Sequence, residues 1–120
     1  MYYEEIRNRN TNSVVNKISK NGGISKKAAK RVYDHVFIEK HLFEDGRNER
    51  FFEDYDMAES FRRILLGKPF KHDIILLKQE SLENYIMTRY NLIYEDAHSI
   101  AEKKYNYRLA LDEFRKSVLK

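Results

Sequence analysis

The chain has 120 residues, with 23 Lys and Arg against 19 Asp and Glu, four His, one Pro, no Cys and a formal net charge of +4. The lack of cysteine excludes disulfide frameworks, thiolate zinc ribbons, iron–sulfur clusters and thiol nucleophiles, so any metal must sit on His, Asp and Glu. The longest apolar run is Ile74-Ile75-Leu76-Leu77, far short of the roughly 18 residues a membrane span needs. Met1-Tyr2-Tyr3-Glu4-Glu5 also lacks the basic and apolar regions of a signal peptide, so neither membrane insertion nor Sec-type export is expected.

One proline and long stretches of Lys, Glu, Arg, Leu, Ile and Ala favour helices over strands. The expectation is one compact all-α domain over residues 1–120, built of four to five helices with one long irregular loop. Residues 2–19 place Ile6, Val14, Val15 and Ile18 among Asn8, Asn10, Asn12 and Asn16, and asparagine weakens helix propensity. Residues 1–22 are therefore expected to fray, or to be helical only from Ser13. Asn21-Gly22-Gly23 is helix-stop chemistry and Ser25 an N-cap for a second helix reaching residue 40, with Ala29, Val32, Tyr33, Val36 and Phe37 as its buried stripe.

Across residues 41–56 the periodicity disappears, Asp45-Gly46 marks a turn, and charged and aromatic residues interleave. Long loops in small domains are frequently functional. A third helix over residues 57–66 ends at Gly67 with Pro69 beyond it. Asp73 is placed as the cap of a fourth helix over residues 74–89, whose core stripe reads Ile75, Gln79, Leu82 and Ile86. After a break at Asn91, a last helix is expected from residue 95 toward 118, with Ala97, Ile100, Ala101, Tyr105, Leu109 and Phe114 available for burial.

The candidate chemistry lies on His, Glu and Arg. His35 follows Asp34 and is flanked by Val32, Val36 and Phe37, which puts its imidazole at a core boundary. Gln79, Glu80 and Glu83 place an amide and two carboxylates within one turn, Gln79 and Glu83 at i, i+4. A polar group on an apolar stripe needs a partner when buried, which His98 or His35 would supply; the plainer alternative is a solvated Glu pair beside the core. Glu-x-x-Glu with a later His also resembles the way bundles build metal sites, although di-metal bundles repeat Glu-x-x-His. His72, next to Asp73, reads as an ordinary capping neighbour. Arg47, Arg50, Arg62, Arg63, Lys68 and Lys71 alternate with Phe51, Phe52, Tyr55, Phe61 and Phe70, a pattern suited to phosphates and stacked bases but equally to a small core. Lys26, Lys27, Lys30 and Arg31 after the Ser25 cap offer a weaker helix-turn-helix reading.

These motifs together, from Gly23-Ile24-Ser25-Lys26-Lys27 through Asp34-His35, Asp54-Tyr55-Asp56-Met57-Ala58, Leu77-Lys78-Gln79-Glu80-Ser81-Leu82-Glu83 and Ala97-His98 to Tyr105-Asn106-Tyr107, resemble a domain at the C-terminus of Gram-positive phage minor head (head-morphogenesis) proteins and of polymorphic-toxin-like proteins. The resemblance covers residues 23–107 and implies a toxin- or nuclease-like effector, or an accessory carried by phage or mobile-element particles. It maps the family's polar motifs onto His35, His41, Gln79, Glu80, Glu83 and His98. The sequence departs at Gln79, where relatives are expected to carry His before the Glu; an amide neither transfers a proton nor ligates as imidazole does, which raises an inactive or repurposed copy. A second departure is that no head-assembly domain precedes the motifs.

The resulting expectation is a phage- or prophage-encoded nuclease domain located in the bacterial host cytoplasm or in the virion. His35 would be general acid or base, with Glu80, Glu83 and His98 orienting it or binding a divalent metal. His41, Arg47, Arg50 and Gln79 would bind substrate. The competing class is a non-enzymatic accessory that docks on a capsid or host protein through residues 41–56, and a third is a small DNA-binding regulator. Burial of Phe51, Phe52 and Tyr55 beneath converging His and Glu side chains favours the enzyme, and their exposure favours docking.

Overall fold

The computed structural model describes residues 1–119. Seven helices and one minimal hairpin form it: α1 (Tyr2–Asn8), α2 (Thr11–Gly22), α3 (Lys26–Tyr33), β1 (His41–Leu42), β2 (Asn48–Glu49), α4 (Tyr55–Leu65), α5 (Lys71–Tyr90), α6 (Tyr94–Glu102) and α7 (Tyr107–Val118). The all-α class holds, but the helix count exceeds the four to five expected, for reasons that lie at both ends of the chain.

The N-terminal segment does not fray. Asn10 opens α2 by accepting from the Ser13 amide at 2.9 Å, so one of the asparagines that weaken a helix interior instead caps its start. Tyr2, Tyr3 and Ile6 of α1 and Val14, Val15 and Ile18 of α2 are buried, and Arg7 donates to Phe37 O across the fold. Tertiary burial overrides the poor local propensity. At the other end, the expected last helix splits, because residues 103–106 leave the helical path and Asn106 caps a new helix by accepting from Leu109 N at 2.9 Å. Ala97 and Ala101 are buried as expected, whereas Ile100 and Leu109 are exposed.

Ser25 caps α3 through the Ala28 amide at 3.0 Å, and the stripe Ala29, Val32, Tyr33, Val36 and Phe37 is buried throughout. Gly23 sits at φ +66°, the left-handed conformation that closes α2, and a Cβ on Gly22 would overlap the Leu77 side chain. The α3 path does not run on to residue 40. It widens into a π-turn over Asp34–Ile38, closed by Glu39 N donating to Asp34 O at 2.7 Å. This turn buries three successive side chains, His35, Val36 and Phe37, which a regular α-helix would spread over its circumference.

Helix α5 is the central element, packed against α3, α4, α6 and α7. It begins three residues earlier than expected. Asp73 lies inside its first turn and accepts from Phe70 N at 2.8 Å. Its buried face is His72, Asp73, Leu76, Leu77, Gln79, Glu80, Glu83 and Ile86; of the expected stripe, Gln79 and Ile86 are buried, while Ile75 and Leu82 are only partly covered. Phe37, Phe61, Ile6, Ile18, Ile64 and Leu77 fill the apolar core on its inner side. Each such side chain contributes about 1.5–3 kcal/mol through burial. Residues 41–56 are largely irregular, as expected, apart from the short antiparallel pair His41↔Glu49 and Leu42↔Asn48, and their last two, Tyr55 and Asp56, belong to α4.

Candidate functional site

Residues 79, 80 and 83 of α5 face the junction of the π-turn with α6. His35 comes from the π-turn and His98 from α6, so the cluster draws on three separate elements. His35 Nε2 lies 3.0 Å from Glu83 Oε1 and 3.3 Å from Glu80 Oε2. The other Glu83 oxygen, Oε2, accepts from His98 Nδ1 at 2.7 Å and from Gln79 Nε2 at 3.3 Å. Gln79 Oε1 in turn accepts from Tyr107 N at 2.9 Å, so this amide ties the first turn of α7 to the centre of α5. Its place on the buried stripe is accounted for by that double contact.

Glu83 is fully enclosed and Glu80 is 5% exposed. Burial pushes both carboxyls upward, and their partners then separate them. On Glu83, hydrogen bonds and charge from His35 and His98 outweigh burial and hold the carboxyl well below its usual range. On Glu80, the Glu83 charge adds to burial and His35 recovers only part, so the net shift is upward. Burial would push His35 down, but the two carboxylates raise it to about 9. His98 is raised chiefly by its bond to Glu83. The pattern is a firm Glu83 anion held between His35 and His98, both of which bind their proton more tightly than a free imidazole, with Glu80 retaining a proton more readily than an ordinary glutamate.

His41 lies behind this cluster. Its Nε2 is 2.7 Å from His35 O, an acceptor, so the hydrogen sits on Nε2, and burial with the neighbouring His35 charge lowers the ring to about 4. It stacks on Phe51 at 4.3 Å and holds the π-turn carbonyl. Two buried polar atoms of the cluster have no hydrogen-bond partner, His35 Nδ1 and Glu80 Oε2. Glu80 Oε2 is within ion-pair range of His35 without forming a hydrogen bond to it.

Glu80 is also where the cluster opens. One cavity of about 250 Å³ is bordered by Arg47, Arg50, Phe51 and Phe52, and a second of about 340 Å³ by Gln79, His98, Asn106 and Arg108. Both are lined by Asp54, Met57, Glu80 and Tyr94, so they form two halves of one cleft with Glu80 at the division. Arg47 is paired with Asp45 at 2.7 Å. Arg50 donates through Nε to Ile38 O at 2.9 Å and has no carboxylate partner among the described residues.

Thus His35, Gln79, Glu80, Glu83 and His98 come together, and Arg47 and Arg50 reach the same cleft from the hairpin. His41 faces a different cavity on the far side of His35, and the His35 imidazole is wholly enclosed, so Glu80 and His98 are the ionisable members that meet the cleft. His72 is buried beside Asp73 and Arg63 instead of capping at the surface. Sequence reasoning missed Tyr94, whose hydroxyl is 3.2 Å from His98 Nδ1; the i, i+4 spacing of Tyr94 and His98 was the available signal. Asp54, Met57 and Asn106 fall within the motifs of the resemblance but were not placed at the site; the local signal at Asp54 and Asn106 is N-cap chemistry, which says nothing of a cleft. The aromatic test divides: Phe51 is half-buried against His35, His41 and Tyr94, while Phe52 and Tyr55 are 78% and 76% exposed.

No protein-family model, curated protein or solved structure matches the chain. Among the described residues no helix is long and apolar enough to cross a membrane.

Proposed function

We propose that this chain is a phosphodiester-cleaving effector domain acting on nucleic acid, of the toxin type carried by phage or mobile elements. The observation that carries the reading is the position of Glu80: a buried carboxylate with a raised proton affinity, at the floor of a cleft that also presents the Arg50 guanidinium. Folding does not reward such a group, because a desolvated carboxylate with an oxygen that no hydrogen bond satisfies costs stability. A reaction does reward it, because a proton carrier works best when its affinity is near the ambient pH.

In this reading Arg50 and Arg47 hold a phosphate, the attacking oxygen is deprotonated at the Glu80 end of the cleft, and His98 protonates the leaving oxygen. Buried Glu83 fixes the His98 ring through Nδ1 and leaves Nε2 toward the opening, where only the exposed Glu102 holds it at 3.0 Å. His35 acts through Glu80 and Glu83 as a positioning residue. A separate groove lined by Arg31, Lys78, Lys104, Tyr85 and Tyr105 adds cations that have no carboxylate partner among the described residues, as a polyanion-binding surface requires.

Purified protein incubated with labelled RNA, single-stranded DNA and duplex DNA is expected to cut at least one of them. Glu80→Gln is expected to lower the rate by about 100-fold or more with unchanged helical circular dichroism. Folded wild-type protein that cuts none of the three, or a Glu80→Gln variant as fast as wild type, would overturn the reading. The exposed Phe52 and Tyr55 side chains favour the second reading, an accessory that docks on a capsid or host protein, and the first of those failures would leave that reading standing.

A further inference from the structure

We infer that His35, Glu80 and Glu83 form a binding site for one divalent transition-metal ion. The three side chains each present one ligand atom, and these atoms lie within 4.8 Å of one another. Two metal–ligand bonds of about 2.1 Å meeting at tetrahedral or octahedral angles separate their donor atoms by about 3.0–3.4 Å. The His35 Nε2 separations from Glu83 Oε1 and Glu80 Oε2 are 3.0 and 3.3 Å, inside that interval, so small displacements suffice to admit an ion.

Two independent features point to a ligand. Glu80 Oε2 is buried, has no hydrogen-bond partner and faces the His35 nitrogen, which a satisfied structural network would not leave so. The second feature is the division of labour on Glu83. Its Oε2 is occupied by His98 and Gln79 while Oε1 points to His35, the arrangement by which outer hydrogen bonds orient a metal-binding carboxylate. Gln79 accordingly serves as an orienting group and not as a ligand, and its departure from histidine leaves the three-ligand set intact.

The two halves of the cleft meet at Glu80, the one ligand of the three that lines it, and provide an entry path to the site. One imidazole and two carboxylates suit Mn²⁺, Fe²⁺ or Zn²⁺ better than Ca²⁺ or Mg²⁺, which prefer oxygen-only shells. One opposing term is that a metal on Nε2 leaves the ring hydrogen on Nδ1, which has no acceptor. This assignment rests on the same site as the hydrolase reading and supplies its missing part, the agent that lowers the proton affinity of the attacking oxygen. With the ion in place Glu80 is a ligand instead of the proton acceptor, the proton of the attacking oxygen passes to solvent in the cleft, and the roles given to His98 and Arg50 are unchanged.

The test is calorimetric titration of Mn²⁺ and Zn²⁺ into the chelator-treated full chain without nucleic acid, joined to Mn²⁺ electron paramagnetic resonance on protein labelled with ¹⁵N-histidine. The expected result is one ion per chain with nitrogen coupling from a single imidazole. Glu80→Gln should weaken binding by about 100-fold or more, while Glu59→Gln, a surface substitution on α4, should leave it unchanged. Absence of binding to folded protein, equal affinity in Glu80→Gln, or a bound Mn²⁺ without nitrogen coupling would overturn the site. The coupling is read on wild-type protein and does not depend on any variant folding. Cleavage by chelator-treated protein that binds no ion would remove the metal and keep the hydrolase; stoichiometric binding without cleavage of any nucleic acid would do the reverse.

Discussion

Asp73 and Glu80 are both buried carboxylates, two turns apart on the same helix, yet their surroundings are built on different terms. Asp73 accepts from Ser60 Oγ at 2.6 Å, from Arg63 at 2.7 and 2.8 Å and from Phe70 N at 2.8 Å. Ser60 also meets the Tyr107 hydroxyl at 2.8 Å, and that hydroxyl donates to Asp56 O at 3.0 Å. One anion faces one cation, and neither Asp73 nor Ser60 retains an unpartnered buried atom. Around Glu80 two carboxylates share a site, and an oxygen and a ring nitrogen are left without a hydrogen bond. Closed networks of the first kind fix a fold; open ones of the second kind are costly to folding and mark places where something else is accommodated. The difference between them, and not burial or charge as such, separates anchor from site.

The largest expected effect tests the anchor. Asp73→Ala strands Arg63 and Ser60 and removes the bond to Phe70 N, so it should lower unfolding stability by about 3–4 kcal/mol in denaturant titration. Glu80→Gln relieves the like-charge contact with Glu83 but also removes the 3.3 Å ion-pair contact with His35; the two oppose each other, and in metal-free protein stability should change by no more than about 1 kcal/mol while most activity is abolished. Equal losses of stability in the two variants would erase the distinction drawn between the clusters.

Acid should expose the same contrast. Burial pushes the Asp73 carboxyl up, but Arg63, Ser60 and the Phe70 amide outweigh it and hold the group below its ordinary 3.8. Its ionised form contributes stability that is fully present above the unfolded value and is lost as pH falls through the lower folded value. Unfolding free energy should therefore fall with pH below about 4, and Asp73→Asn should flatten that slope. An unchanged slope in the variant would assign the acid sensitivity to other carboxylates.

Much of this was legible in one dimension, because local chemistry decides it. The Ser25 cap, the Gly23 stop and the buried stripe from Ala29 to Phe37 obey spacing rules and appear in the structure as read. Gln79 stood out because it interrupted an apolar stripe, Glu80 and Glu83 because they add two carboxylates within one turn of it, and His35 because apolar neighbours surrounded it. The rest depends on contacts between distant residues. Tyr2, Tyr3 and Ile6 are buried through distant contacts: α1 packs on the π-turn, Tyr3 meets Phe37 edge-on, Arg62 lies over the Tyr2 ring, and Glu53 accepts from Tyr3 N at 2.6 Å. Asp73 was legible as helix-start chemistry through Phe70 N, but its bonds to Ser60 and Arg63 span 13 and 10 residues, beyond any helical period. The widening at Asp34–Ile38, which turns His35 inward, has no sequence signature that separates it from a continuing α-helix.

The smallest expected effects form a matched pair of tyrosines, one per cluster. Tyr107→Phe deletes a hydroxyl that bonds both Ser60 and Asp56 O and should cost about 1 kcal/mol, with activity preserved. Tyr94→Phe keeps the ring that packs on Phe51 and Phe43 at 5.0 and 5.5 Å and removes a hydroxyl beside His98 Nδ1, whose hydrogen is already taken by Glu83. Its thermal midpoint should stay within about 1–2 °C, since a few tenths of a kcal/mol moves a domain of this size no further. The pH profile of cleavage should shift instead, because the lost dipole lies next to the imidazole that donates the proton. If Tyr94→Phe destabilised as much as Tyr107→Phe and left the pH profile in place, the Glu80 cluster would be a second structural anchor.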